Sequence, residues 1–330
     1  MQETTTVLSE IRRVPARTIG DAPVVDSPFA AALVELGKQR PEIVVLSADL
    51  SKYTDIVPFA EAFPERFFQV GMAEQNMMGI AGGLAKTDFL PIAVTYSVFA
   101  ARRACDQVQM ALATGHRTAI IMGFLPGITT PFRASHQGTD DLAIMRSIPG
   151  MTVIDPMDAT ELAAALRAAT VTPGPVYMRG LRGQVAGILE PGYEFTVGAP
   201  VLLREGHDIA FIGTGLGTQW ALEAADLLRS RGGSAALLHV PTIKPFDRAA
   251  VTSFVRNFER VITVENHSVI GGLGSAVAEA IAQTGIATRL HPLGVTDNWA
   301  GSGPLNHLRA TLGLDAETIA NFAVKKAGGK

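Results

Sequence analysis

Short β-branched runs alternate along this chain with longer Ala/Leu-rich stretches, a pattern that suits layered α/β folds with mainly parallel sheets. Segments 43–46, 91–95, 118–122 and 151–154 read as strands, and 28–39, 74–85, 99–114 and 158–170 as helices, with Asp158 as an N-cap. A length of 330 residues is long for one core, so two domains are expected. The stretch 180–207 carries Gly183, Gly187, Pro191, Gly192, Gly198 and Pro200 and reads as an interdomain connection. Beyond it, strands at 208–212, 235–240, 260–264 and 287–291 alternate with helices at 218–231 and 275–282. The expected division is an N-terminal extension 1–22, a first domain 23–182, a linker 183–207 and a second domain 208–330. Each domain is expected to be a mainly parallel sheet flanked by helices.

Composition narrows the function classes. Charged residues are only 18% of the chain and the formal net charge is -3, with no Lys/Arg-rich block to track a phosphate backbone, so nucleic acid is not an expected partner. Cys105 is the single cysteine, which excludes an intrachain disulfide, and no CxxC or His-rich cluster offers a metal site. The longest apolar stretch, 118–132, is interrupted by Gly123, Pro126, Gly127 and Pro131 and is too short to span a bilayer. Met1-Gln2-Glu3-Thr4 lacks the basic-then-apolar order of a signal peptide, and a cytoplasmic location is expected. Gly213-Thr214-Gly215-Leu216-Gly217 has GxGxG rather than GxGxxG spacing, and the following strand ends without an acid. It reads as a tight turn and not as a dinucleotide loop.

The chemistry-bearing residues fall at strand ends, where open α/β sheets bind ligands. In Gly71-Met72-Ala73-Glu74-Gln75-Asn76-Met77-Met78-Gly79 a lone acid lies between Phe67-Phe68-Gln69-Val70, read as a buried strand, and a small-residue helix. Glu74 is either a helix-start carboxylate favoured by the macrodipole or a desolvated acid able to share a proton with a ligand nitrogen. Asp49 follows the strand at 43–46, and Tyr96 and Phe99 follow Thr95. These two aromatics read as core or as a stacking platform. His136 lies in Ser135-His136-Gln137, as a structural or a catalytic histidine, and Arg179 ends Val176-Tyr177-Met178, as an interface ion pair or an anion holder.

In this order the series resembles the transketolase family of thiamine diphosphate enzymes. The resemblance is carried by Ser47-Ala48-Asp49-Leu50, Phe63-Pro64-Glu65-Arg66-Phe67-Phe68, Gly71-Met72-Ala73-Glu74-Gln75-Asn76-Met77, 99–107, Ser135-His136-Gln137, Arg146-Ser147-Ile148-Pro149 and Pro156-Met157-Asp158. In the second domain it is carried by Pro241-Thr242-Ile243-Lys244-Pro245 and Gly271-Gly272-Leu273-Gly274. It covers nearly the whole chain and matches the C-terminal half of an ordinary transketolase, its pyrimidine-binding (Pyr) and C-terminal domains, as in split transketolases. The resemblance implies that Glu74 hydrogen-bonds the aminopyrimidine ring nitrogen and favours the tautomer that activates the cofactor. It likewise implies that Tyr96 and Phe99 pack on the pyrimidine and that Asp49 lies near the cofactor. His136 is implied to face the substrate carbonyl, and Arg179 to hold a substrate phosphate.

No Gly-Asp-Gly element, which the family uses to hold Mg²⁺ and the diphosphate, occurs in the chain. The resemblance therefore implies a second subunit, equivalent to the transketolase N-terminal half with its diphosphate-binding (PP) domain, which holds the Mg²⁺. An α2β2 assembly is expected, with self-association through the Pyr and C-terminal domains. Phe124 and Phe132 stand where the family has sugar-contacting His and Asp, and Asp26 and Tyr53 where it has phosphate-contacting Arg and Ser. The expected reaction is transfer of a two-carbon ketol or related acyl unit, with a substrate other than a standard sugar phosphate. The His136-Gln137-Gly138 element with Asp141-Leu142 also resembles 1-deoxyxylulose-5-phosphate synthase. The β subunits of 2-oxoacid dehydrogenase E1 components, and a non-catalytic subunit that keeps the fold, are the other readings.

Overall fold

The computed structural model describes residues 11–115 and 117–325; the signal-peptide reading of residues 1–4 lies outside them. A seven-stranded sheet forms the first layer system, in spatial order Thr242–Lys244, Thr152–Ile154, Pro175–Gly180, Ala119–Phe124, Leu90–Tyr96, Ile43–Ser47 and Phe67–Gln69. All pairings are parallel except that of Thr242–Lys244 with Thr152–Ile154. The central strands are buried along their whole length, as parallel strands covered by helices on both faces must be. Helices Pro28–Gln39 and Ala159–Ala169 pack together over one face. Asp158 caps the second of these by accepting from the Glu161 amide at 2.7 Å.

The second sheet runs Arg289–Val295, Arg260–Ser268, Ile209–Gly213, Ala235–His239 and Val201–Arg204, the last strand antiparallel. Gly213-Thr214-Gly215 forms the turn into helix Gly215–Ser230, and Gly217 lies so close to the next strand that a Cβ would meet the Val264 carbonyl oxygen at 2.3 Å.

Four features depart from the expected elements. Phe67–Gln69 is the outermost strand and half-exposed, with Phe68 43% exposed, because nothing pairs beyond it. The stretch expected as one helix over 99–114 winds in π-type turns at Phe99–Arg103 and Val108–Leu112 around a short α turn, Cys105–Gln107. Such widened turns recur at functional sites. The stretch 183–207 contains two strands: Gln184–Ala186 pairs with Val24–Asp26, and Val201–Arg204 edges the second sheet. Finally, Thr242–Lys244, from the Pro-Thr-Ile-Lys-Pro element, leaves the second domain to complete the first domain's sheet.

The two domains are also joined through buried charge. Arg179 is 1% exposed and donates to both oxygens of Asp141, at 2.9 Å through Nε and 2.5 Å through Nη2. Its Nη1 lies 3.2 Å from Asp155 Oδ2 and 3.2 Å from the Asn266 carbonyl of the second domain. Burial alone would raise Asp141, but the Arg179 charge and hydrogen bonds outweigh it and hold its carboxyl below the ordinary value. Burial pushes Asp155 up to about 6. One guanidinium thus holds the carboxyl of Asp141 below the ordinary value, while burial outweighs it at Asp155.

Nearby, burial pushes Glu265 up to about 7 from the ordinary 4.5, although it accepts from the Leu273 and Gly274 amides at 2.8 Å each. A folded value above the unfolded one means stability that is complete below about 4.5 and lost as pH rises through about 7. Replacing Glu265 with Gln should therefore flatten the decline of melting temperature between pH 5 and 8. Identical pH slopes for the two proteins would contradict this assignment.

Candidate active site

The carboxyl ends of four adjacent strands open into one cleft of about 1040 Å³. Ser47 leads to Asp49, Tyr96 ends its strand, Phe124 leads to Leu125, and Gly180 leads to Arg182. This is the place where a parallel sheet presents ligand-binding groups. Asp49, Glu74, Tyr96, Phe99 and His136 all line it.

Glu74 forms the floor. It begins helix Glu74–Leu84 and is 1% exposed, and its two carboxylate oxygens accept from Arg103 Nη1 at 2.8 and 3.0 Å. Arg103, 48% exposed, also lies over the Phe99 ring at 4.3 Å, a cation–π contact. Because the π-type turn begins at Phe99, one short segment carries both the ring and the guanidinium to the acid. A carboxylate has about four lone-pair sites, so Glu74 keeps acceptor capacity beyond the two contacts with Arg103.

Tyr96 and Phe99 stack with centroids 5.7 Å apart and planes 18° from parallel. His136 meets the Phe99 ring edge-on at 5.5 Å, and Phe132 tilts against the imidazole at 5.4 Å. Burial raises the Tyr96 hydroxyl above its ordinary value, so it stays a neutral donor at working pH. The Ser135 hydroxyl lies 2.9 Å from His136 Nδ1. Asp49 is exposed and sits in the left-handed region at φ 59°, its amide donating to Gln69 Oε1 at 2.7 Å. Leu125, also lining the cleft, has φ 51°. Side chains other than glycine rarely occupy this region, and such strain concentrates at functional sites.

Arg179 is a correction. Its strand register turns it into the buried ion cluster between the domains, where Asp141, Asp155 and Asn266 take four of its five N–H groups; it is an ion pair between the domains, the other reading of the sequence, and does not line the cleft. Phe124 is likewise core, edge-on to Phe29 at 5.1 Å. Asp26 is exposed on an edge strand and does not line the cleft, whereas Tyr53 and Phe132 do. Two arginines were missed. Arg103 is signalled only by its four-residue spacing from Phe99. Arg182 lines the cleft with a single hydrogen bond, to the Tyr53 carbonyl at 3.2 Å, and no carboxylate within ion-pairing distance among the described residues.

The donor set tests the expected cofactor. A buried carboxylate beside stacked aromatic rings fits an aminopyrimidine, which offers a ring nitrogen and a flat π-face. No group of three or more His, Cys, Asp or Glu among the described residues could hold a metal ion. Nor is any helix in the described residues long and apolar enough to cross a membrane.

A pair of mainly parallel sheets with an acid, an aromatic stack and a histidine at one carboxyl edge defines an α/β protein with a candidate ligand cleft. Residues 24–186 match the family profile of the transketolase pyrimidine binding domain and residues 198–319 that of the transketolase C-terminal domain. A transketolase family protein of Sinorhizobium fredii, y4mN, is 43% identical over 302 residues, covering 91% of this chain and 88% of its own. The 6-deoxy-6-sulfo-D-fructose transketolase subunit SqwH of a Clostridium species is 39% identical over 296 residues, covering 89% and 92%. A solved split-gene transketolase, in an inactive β4 tetramer, superposes with a TM-score of 0.83 at 40% identity, covering 91% of this chain and 96% of that one. The chain belongs to the transketolase family, as a subunit of thiamine diphosphate type corresponding to the C-terminal half.

The two arginines of one short segment should behave oppositely. Arg179→Gln strands buried acids and should cost about 3–5 kcal/mol of stability in a denaturant melt. Arg182→Gln should melt like the parent protein. Equal, small effects would place Arg179 outside the role described.

Proposed function

We propose that this chain is the catalytic C-terminal-half subunit of a transketolase-like transferase that moves a two-carbon ketol or related acyl unit between small carbonyl compounds. It works with a second subunit equivalent to the N-terminal half. The observation that carries this reading is the Glu74 carboxylate, buried at the floor of an aromatic-walled cleft on the carboxyl edge of the sheet.

When bound, thiamine diphosphate supplies a carbon nucleophile for addition to a carbonyl. Glu74 would hold a proton at the aminopyrimidine ring nitrogen, in a site where burial strengthens that hydrogen bond. Tyr96 and Phe99 would hold the ring, and Asp49 would stand at the cofactor's edge. His136, with Nδ1 engaged by Ser135, would present Nε2 to the developing substrate oxyanion and move a proton there. The partner would supply the Mg²⁺ ligands and hold the diphosphate, since the Gly-Asp-Gly element is missing from this sequence.

An α2β2 assembly follows from a site shared between chains. The exposed apolar side chains Phe68, Met72 and Ile80 flank the helix that starts at Glu74, and Gly79 and Gly83 on it face open space, a flat surface suited to close helix packing. That a related split-gene chain forms a β4 tetramer which is inactive agrees with a subunit that self-associates but needs its partner for activity.

Substrate selection rests on the cleft mouth. Tyr53 and Phe132 narrow it with aromatic surface, and Arg182 is its cation without an acidic partner among the described residues. A substrate with one anionic end and few hydroxyl contacts fits better than a standard sugar phosphate. The reading is tested by mixing the chain with its N-terminal-half partner, thiamine diphosphate and Mg²⁺, and measuring carboligation. Glu74→Gln should lower kcat by about 10²-fold or more; an undiminished rate would sink the role given to Glu74.

A further inference from the structure

The loop that carries His136 has almost no sheet ladder of its own. Between Leu125 and Thr139 its backbone makes one bridge, Pro126 with Gly138, and a few short turns, and groups from outside the loop hold the rest of its conformation. The Asn266 amide, fully buried in strand Arg260–Ser268 of the second domain, donates to the Pro126 carbonyl at 3.0 Å and accepts from the Ile128 amide at 3.0 Å. This pair of bonds takes the place of a neighbouring strand. Gly127, at φ 59°, lies between them, and a Cβ there would meet Asn266 Oδ1 at 2.1 Å.

The far side of the loop is fastened in the same way. Gln137, next to His136 and 1% exposed, donates to Thr130 within the loop at 3.1 Å and to the Gly301 carbonyl of the second domain at 3.2 Å. Arg133, at φ 58°, donates to Ser302 Oγ at 2.8 Å, and the Ser268 amide donates to the Thr139 carbonyl at 2.8 Å. The first domain adds Arg102, which holds the Ala134 carbonyl at 2.9 Å and pairs with Asp140. Four of these fastenings, at Asn266, Gly301, Ser302 and Ser268, belong to the second domain.

We infer that the second domain is the template on which the His136 loop is folded, with Asn266 and Gln137 as positioning residues for the imidazole. The catalytic part of this inference rests on the function proposed above. A displacement of about 1 Å at a reacting group costs on the order of a hundredfold in rate, so a loop fastened at four points to the second domain transmits any loosening of the domain contact to His136.

The test uses Gln137→Met, which keeps the side chain's length and removes both donations. In the reconstituted enzyme kcat should fall on the order of tenfold to a hundredfold, with half-saturation by thiamine diphosphate within about twofold of the parent, because the Glu74 end is untouched. The His136 ring resonances of the variant, assigned with His136→Gln, should shift or broaden. An unchanged kcat, or a fall in kcat matched by the same fall in cofactor affinity, overturns the inference. If the parent mixture is inactive toward every carbonyl compound, the proposed function fails, and the ring resonances alone decide: moved signals uphold the template, unmoved signals overturn it. Should Gln137→Met not fold, the same signals are read in Ser302→Ala, which removes only the surface tie to Arg133.

Discussion

Much of this architecture depends on one buried guanidinium. Arg179 ties Asp141, at the start of helix Asp141–Ser147, to Asp155 beyond strand Thr152–Ile154 and to the Asn266 carbonyl of the second domain. Desolvating these charges is costly, and such a cluster persists only when its hydrogen bonds are nearly all satisfied. Here they are: Tyr177 adds a 2.5 Å bond to Asp141, and burial together with the Asp141 charge drives the Tyr177 hydroxyl well above its ordinary value, so it remains a donor. The cluster fixes the strand whose Asn266 side chain in turn shapes the His136 loop. Structural charge and proposed catalytic geometry thus meet at one residue, backbone on one side and amide on the other.

Under the proposed function the cleft is half of a site. Its floor and walls suit an aromatic nitrogen ring, and no group of three or more His, Cys, Asp or Glu that could hold a metal ion occurs among the described residues. A fused transketolase carries both halves in one chain; this chain matches the Pyr-type domain and the C-terminal domain. Arg103 on Glu74 keeps the buried acid paired within the chain, which lowers the cost of holding a carboxylate away from water.

Much of the site was legible from the sequence because the relevant signals are local. Asp49, Tyr96 and Phe99 follow strands directly, Glu74 opens a helix, and carboxyl ends of parallel strands share one edge. For Arg179 the sequence left an ion pair and an anion holder equally open, since its partners lie 38 and 24 residues away, and strand alternation does not say which buried face holds acids. Arg182, two residues past the strand Pro175–Gly180, reaches the cleft that Arg179 does not. The same limit applies to Phe124, whose place against Phe29 follows from helix packing and not from its own neighbours in the chain. Strands Val201–Arg204 and Thr242–Lys244 are short and lie at sheet edges; neither has enough periodicity to stand out from a Gly/Pro-rich or loop-like context.

The central claim is that this chain supplies the pyrimidine end of a cofactor site and its partner the diphosphate end. Isothermal titration of thiamine diphosphate with Mg²⁺ into the chain alone, and into an equimolar mixture with the N-terminal-half subunit, tests it most directly. The account predicts saturable binding only in the mixture, with no measurable heat of binding for the chain alone at the concentrations that saturate the complex. Equal affinity of the isolated chain for the magnesium complex would contradict it.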